Sequence, residues 1–485
     1  MAEFSTKAFV LFSNDLRTKD NPALYQALQS GYPVLALYIE PEDGLRPRGG
    51  ASNWWLHHSL NALSDQLDAL NVPLVLRRGN AFDILKNVAQ ETDAKSIFWN
   101  RRYDKDGVYL GANIKQWARE TGLDATSFNG LLLHEPHSML TKTDGPYRVF
   151  TPFWKAFLSQ AIVRSPLPTP QPQKTRPQAP QSEALSDWKL LPTSPNWATG
   201  FDANWTPGEA GALTRLNSFL SARIGDYSEK RDFPSIDGTS GLSPHLRFGE
   251  ISPYQIWAEA HAAPAGPETS VSRDKFIAEL GWREFSHHLL YHYPDLHDLN
   301  YNLKFNHFPW RSDDQVNHDL EAWQKGQTGY PIVDAGMRQL WQTGYMHNRV
   351  RMIVGSFLVK HLLIDWREGE RWFWDTLVDA CPAANTASWQ WIAGSGADAA
   401  PYFRIFNPVL QGEKFDAAGD YVRTFVPELA KLPHKLIHKP WTGRASELSH
   451  CGVRLGESYP HPIVEHKAAR QRALDAFATI KTAAA

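Results

Sequence analysis

Three short runs in the second half of the chain put polar side chains where a helix core should be apolar. In Phe276-Ile-Ala-Glu279-Leu-Gly-Trp282-Arg283, Glu279 and Trp282 stand three apart and share a helical face. In Gly344-Tyr-Met-His-Asn348-Arg349-Val-Arg351-Met352, one face holds Asn348, Arg351 and Met352, while Arg349 is turned about a quarter circle away. In Asp379-Ala380-Cys381-Pro-Ala-Ala-Asn385-Thr-Ala-Ser-Trp389-Gln-Trp391, Asn385 and Trp389 are four apart. Trp389 and Trp391 are two apart and must face differently, so they should have different tasks. Arg351 and Asp379 make sense as a buried, mutually neutralising pair. An ordinary salt bridge between helices would account for either residue alone. Glu279, Asn348, Arg351, Asp379 and Asn385 together, in a chain with nineteen tryptophans, read as the lining of a polar cofactor cavity. For most of those tryptophans, packing is the expected role.

The elements that would carry these residues differ between the two ends of the chain. A length of 485 residues calls for more than one domain. Apolar strand-like runs at 8–12, 34–39, 74–76 and 96–99 alternate with amphipathic stretches such as 54–70 and 81–90. This alternation predicts an α/β domain over 1–135 with a doubly wound parallel sheet. No G-x-G-x-x-G follows its first strand, so a dinucleotide site is not supported, though the strand ends would offer a crevice for a small ligand. A stretch rich in Pro, Gln and Ser over 165–200 lies within a long connector, 136–205. Beyond it, over 206–485, helical patterns dominate, predicting an all-helical C-terminal domain.

Composition narrows the class. Charged residues are 21% and apolar ones 42% of the chain, the balance of a soluble globular protein. No apolar run approaches the ~20 residues of a membrane span. The N-terminus lacks a signal peptide's apolar core, and Cys381 and Cys451 are the only cysteines, so a reducing cytoplasm is expected. No cysteine cluster suggests a metal site. A net charge of −2 argues against a protein that coats nucleic acid, so any DNA contact must come from a local basic rim.

Longer runs make the sequence recognisable. They include Gly225-Asp-Tyr227-Ser-Glu-Lys-Arg231-Asp-Phe-Pro, Gly238-Thr-Ser-Gly-Leu-Ser-Pro-His-Leu, Trp282-Arg-Glu-Phe and Lys325-Gly-Gln-Thr-Gly-Tyr-Pro. Met346-His-Asn-Arg-Val-Arg-Met, Ile364-Asp-Trp-Arg-Glu-Gly-Glu-Arg, Trp389-Gln-Trp and Ala399-Ala-Pro-Tyr-Phe-Arg-Ile-Phe-Asn-Pro belong to the same set. Together they resemble the photolyase/cryptochrome family, from Phe12-Ser-Asn-Asp-Leu-Arg near the start to Pro462-Ile-Val-Glu-His-Lys near the end. The resemblance implies an antenna-binding α/β domain, a wrapping connector and a helical FAD domain. The activity it implies is that of a carbon–carbon lyase that splits pyrimidine dimers in DNA with blue light and reduced, anionic FAD.

Carried over by resemblance, Tyr227 and the turn Thr239, Ser240, Gly241, Leu242 and Ser243 form the phosphate and ribityl site. Phe276 replaces a Trp of some relatives. Glu279, Arg283, Asn348, Ala380 and Cys381 complete the cofactor set, Arg351 and Asp379 lie beside the flavin ring, and Asn385 faces flavin N5. A neutral amide there suits the anionic reduced flavin. Trp282 and Trp391 resemble the walls that receive a flipped-out dimer, with Met352 beneath and Asn348 beside it. Glu279 would bond the pyrimidine edge and stabilise the dimer's radical anion. Arg231, Arg349, Arg404, Gln411 and Lys414 resemble backbone contacts. Trp389, Trp366 and Trp310 match the family's electron-hopping chain, while Trp372 and Trp374 either supply a parallel route or pack the core.

Two departures stand out. Cys381 replaces a second flavin-facing aspartate, and a neutral thiol is a weak hydrogen-bond partner. Arg101-Arg-Tyr-Asp104-Lys-Asp106-Gly107 lacks the Asn-Glu pair of some folate-binding relatives, which leaves the antenna open between methenyltetrahydrofolate, the first expectation, and a deazaflavin, the second. A (6-4) photoproduct enzyme would carry a paired histidine near His347, where Asn348 stands. A cryptochrome photoreceptor would add a long C-terminal extension, whereas this sequence stops shortly after Ile463-Val-Glu-His-Lys. The expected partner is DNA containing pyrimidine dimers, acted on by a monomer without membrane, metal or obligate protein partner.

Overall fold

The computed structural model describes residues 7–482 except 43, 45, 265 and 400–402, so Ala400, Pro401 and Tyr402 of one family run lie outside the described residues. Five strands, β1 (Ala8–Phe12), β2 (Val34–Pro41), β3 (Leu74–Gly79), β4 (Ser96–Asn100) and β5 (Asp124–Phe128), form one sheet in the order β3-β2-β1-β4-β5. Every pairing is parallel, with Ala8 opposite Val34 on one side and Ser96 on the other. All five residues of β1 are buried, as a strand covered on both faces requires. Helices α1 (Pro22–Gln29), α2 (Gly50–Ala69), α3 (Ala81–Glu91) and α4 (Lys105–Thr121) make the crossovers. Asn21, Asn80 and Asp104 cap three of them by accepting bonds from the first-turn N–H groups.

The four predicted strands are present and run one to three residues longer at their C-terminal ends where they differ. β5 carried no signal because Asp-Ala-Thr-Ser-Phe is a partly exposed edge strand. The Pro- and Gln-rich segment is extended, and it covers the opposite edge. Leu76 N–H donates to Ser182 Oγ, Glu183 N–H to the Leu76 carbonyl and Arg78 N–H to the Glu183 carboxylate. β3 is thereby denied to another chain.

Beyond β5 every regular element among the described residues is helical. Compactness and composition divide the chain at different places. One compact unit comprises Met1–Asn196, Trp205–Gly225 and Ser240–Pro294, and the other Trp197–Asn204, Asp226–Thr239 and Asp295–Ala485. The first therefore adds the helices Glu209–Ala222, Pro253–Ala262 and Pro267–His292 to the sheet. The second packs Pro331–Thr343, Asn348–Ser356, Trp366–Thr376 and Ala384–Ala393 around one apolar core that includes Trp323, Trp366 and Trp389.

At the strand ends, where a crevice is expected, polar side chains bond to one another. Asn100, ending β4, donates to Asp15 Oδ2 at 2.7 Å and to Asn21 Oδ1 at 2.8 Å. Beside them Arg17, wholly buried, donates to the carbonyls of Asp20, Gly130 and Gly249. Burying a guanidinium demands such partners.

Candidate functional site

The expected site residues divide between the two units. In the second, the helix Ala384–Ala393 starts after Cys381-Pro and stops at Gly394, which takes a left-handed φ of 94°. Asn385, 9% exposed, donates its amide nitrogen to the Glu370 carbonyl at 3.1 Å and to Glu370 Oε1 at 2.8 Å. A carbonyl and a carboxylate can only accept, so the amide orientation is fixed and Oδ1 is the atom left to face a ligand. Glu370, nearly inaccessible, also accepts from Thr386. The sequence reading missed it, although a buried acid four residues after Trp366 in a quoted family run was a usable signal.

The expected pair forms: Arg351 Nη2 meets Asp379 Oδ2 at 2.9 Å, and Arg351 Nε donates to the Met346 carbonyl. Burial opposes the charge on Arg351, yet Asp379 and Tyr345 hold its pKa above the usual arginine value. Ala380 is buried beside this pair's acid in sequence, and Cys381, partly buried, is not in a disulfide. Trp389 is held by Phe373, 5.0 Å away edge-on, and a side chain at Gly369 would meet its ring at 2.1 Å. Gly369 is thus required for the ring's seat.

Trp389 and Trp366 share the core against which Trp310 packs, so the three expected electron carriers run from buried to half-buried positions. Trp366 Nε1 is fixed by the Asn300 side chain at 2.9 Å. Trp372 packs against the core, and its ring stacks on Trp341 at 6.0 Å and 9°, where Trp341 is 49% exposed. Trp374 packs against the core from its rim.

Several expected DNA contacts are neighbours. Arg349 pairs with Asp232 at 2.8 Å, lies 4.4 Å over the Phe415 ring and reaches Met352 Sδ at 3.8 Å. Arg231 is 3.8 Å from the same Asp232 and 5.2 Å over the ring of Tyr227, and exposed Lys414 lies over Phe415. Asn348, the exposed first residue of its helix, follows His347, whose Nδ1 accepts from the Arg349 N–H. Trp391 donates to the Asp398 carbonyl and lines a small cavity with Arg404. Gln411 lies on the helix Pro408–Phe415, which also carries Lys414 and Phe415. Thr239 ends its segment of this unit.

In the first unit, Ser240, Gly241, Leu242 and Ser243 form the expected turn, with Gly241 at φ 63° and Leu242 N–H donating to Ser240 Oγ. A side chain at Gly241 would meet Arg215 Nη1 at 2.7 Å, so this turn has a guanidinium beside it that no motif announced. Phe276 is buried and packs against Phe219 at 4.6 Å. Glu279 and Trp282 share the helix Pro267–His292 as expected. Phe150 stacks on Trp282 at 3.7 Å and 10°, backing one face of the indole. Arg283 turns to Glu284, which accepts from the N–H groups of Leu133 and His134. Burial raises the Glu284 pKa.

Comparison with known proteins adds to this geometry. Residues 8–173 match the family described as DNA photolyase, and residues 276–479 the FAD binding domain of DNA photolyase. The chain is 54% identical to a deoxyribodipyrimidine photo-lyase of Agrobacterium fabrum, over 97% of this chain and 98% of that one. It is 36% identical to cryptochrome-2 of Arabidopsis thaliana, over 96% of this chain and 78% of the relative. A crystal structure of a bacterial class III photolyase from Agrobacterium tumefaciens superposes with a TM-score of 0.93 at 52% identity, covering 99% of this chain and 98% of that one.

Proposed function

Because the chain belongs to the photolyase/cryptochrome family, we propose that it repairs cyclobutane pyrimidine dimers in DNA under blue light, using reduced FAD. The observation that carries the reading is Asn385, whose nitrogen is committed to Glu370 and whose oxygen is left to accept. A flavin reduced at N5 carries a hydrogen there and needs an acceptor, so the Asn385 oxygen fits the group. The Gly241 turn, with Arg215 beside it, suits a diphosphate.

When bound and reduced, FAD supplies light absorption and one electron to the dimer. The remaining tasks fall to side chains. Asn385 accepts at N5 and offers no exchangeable acid, while Arg351 supplies a positive charge beside the ring that Asp379 keeps in place. Tyr227, Thr239 and the turn to Ser243 bind the phosphates and ribityl chain, with Phe276, Arg283, Asn348, Ala380 and Cys381 around the cofactor. Trp282 and Trp391 serve as apolar walls for the flipped dimer, Met352 lies beneath it, and Glu279 bonds the pyrimidine edge so that the dimer's radical anion persists until it splits. Arg231, Arg349, Arg404, Gln411 and Lys414 hold the DNA backbone. Residues 1–135 hold an antenna pigment, methenyltetrahydrofolate before a deazaflavin, 136–205 connect, and 206–485 carry the chemistry. The protein works as a cytoplasmic monomer.

The experiment is Trp389→Phe. The variant should photoreduce oxidised flavin at least about tenfold more slowly, since Trp389, Trp366 and Trp310 feed electrons to the flavin, and should repair normally once reduced chemically. Photoreduction at the wild-type rate would remove Trp389 from the chain and favour Trp372 with its stacked, exposed neighbour Trp341.

A further inference from the structure

Lys360 is 1% exposed, and burial alone shifts its pKa, with no carboxylate among the described residues contributing. A lysine in this position is costly unless its nitrogen is satisfied by other means. Its Nζ donates to the Ala393 carbonyl at 2.6 Å and lies 3.0 Å from the centre of the Phe403 ring. Ala393 ends the helix that carries Asn385, Trp389 and Trp391, so the donor meets the negative end of a helix dipole. The other contact is a cation–π interaction in a dry site. Burial pulls the amine's pKa far below the usual lysine value, and the carbonyl and the ring are the contacts that satisfy its N–H groups in that site.

The elements around Lys360 explain why it reaches both partners. It sits in a π-helical turn, Phe357–His361, that follows the helix Asn348–Ser356, and such widened turns recur at functional sites. From the end of that preceding helix, Ser356 Oγ accepts from the Phe406 N–H. Adjacent turns thus anchor the segment Phe403–Phe406 twice, once by ring and once by backbone. Phe403 is further fixed by Phe477, stacked at 4.3 Å and 7°. Lys360, Ser356, Trp391, Phe403, Arg404 and Phe406 line one cavity of about 40 Å³.

We infer that Lys360 is a positioning residue for lesion recognition: it ties the C-terminal end of the Trp391 helix to Phe403, so that the indole wall and Arg404 meet damaged DNA as one preset surface. The inference rests on the repair reading given above. It assigns Lys360 no contact with flavin, DNA or dimer. The tie acts before binding, by sparing the two segments the ordering that a loose pair would undergo.

The test uses the FAD-loaded full chain and an oligonucleotide carrying one thymine cyclobutane dimer. Lys360→Met should raise the dissociation constant for that oligonucleotide at least fivefold, with undamaged DNA changed less than twofold. FAD content, photoreduction rate and repair yield per photon at saturating DNA should stay within twofold of wild type. Lys360→Arg, which keeps the charge and the donors, should recover most of the affinity. Phe403→Leu should reproduce the loss, and the double variant should add little to it, because both changes cut the same tie. Wild-type affinity in Lys360→Met overturns the inference, as does parallel loss of FAD and photoreduction, which marks a merely structural lysine. If Lys360→Met does not fold, Phe403→Leu decides by the same two outcomes. Wild-type protein that leaves the dimer unrepaired overturns the repair reading instead, whatever the variants bind.

Discussion

Two buried polar networks in this molecule look alike in composition and differ in where their bonds end. At the strand ends of the sheet, Asp15, Arg17, Asn21 and Asn100 bond to one another and to backbone carbonyls. In the helical unit, Asn385 commits its nitrogen to Glu370 and keeps its oxygen, and Arg351 is held by Asp379 and the Met346 carbonyl. The first network bonds to itself and to backbone, its unpartnered atom Asn100 Oδ1 abuts Gly130, and it stabilises a junction. The second is anchored on one side and offers atoms on the other, the arrangement a ligand site needs. Burial and residue type alone do not separate a structural polar cluster from a functional one; the direction of the uncommitted atoms does.

Breaking the strand-end network should cost the most. Arg17→Met leaves three buried carbonyls without their donor and should lower stability by about 3–5 kcal/mol. Denaturant unfolding measures this, and the fraction that stays folded should carry FAD and repair dimers normally. Reduced repair per folded, FAD-loaded molecule would mean that the strand-end network also serves the chemistry.

Acid should come next and reach both units. Burial lowers His347 to a pKa of about 4, and His288 in the sheet unit likewise to about 4. Both lie below the unfolded value of about 6.5, so the unfolded chain takes up protons first. Stability is full above about pH 6.5 and is lost as pH falls toward 4, by about 3 kcal/mol for His347 alone. His347→Asn keeps a capping acceptor for the Arg349 N–H and should remove that share of the acid sensitivity. Unfolding midpoints at pH 7 and pH 5 provide the comparison.

The smallest effect sharpens the functional side. Trp282→Ala should weaken binding of dimer-containing DNA by about 1–3 kcal/mol, the worth of a base–aromatic stack, with undamaged DNA little changed. Because Phe150 backs the indole at 3.7 Å, Phe150→Leu should produce a smaller loss of the same kind. Equal losses for damaged and undamaged DNA would assign Trp282 to packing.

Much of this was legible in the sequence, for identifiable reasons. The first four strands are continuous apolar runs, and the Arg351–Asp379 pair could be read because charge in an apolar stretch must be neutralised. β5 escaped because its alternating exposure at a sheet edge leaves no apolar run. Glu370, Phe150, Arg215 and Lys360 escaped for another reason: each acts on a residue far away in sequence, as Phe150 does on Trp282. Spacing reveals which residues share a helical face, but not what a second helix or loop lays against it. Asn100 illustrates the same limit, since it reaches across 85 residues to Asp15.

The central claim is that the open network serves dimer splitting. The direct measurement is to illuminate chemically reduced, FAD-loaded protein with blue light in the presence of an oligonucleotide containing one cyclobutane thymine dimer, beside one containing a (6-4) photoproduct. The account predicts loss of the cyclobutane dimer, in light only and over many turnovers, with the (6-4) product untouched. Persistence of the cyclobutane dimer while the flavin remains bound and reduced would contradict it, and would leave light sensing as the better reading of the same cavity.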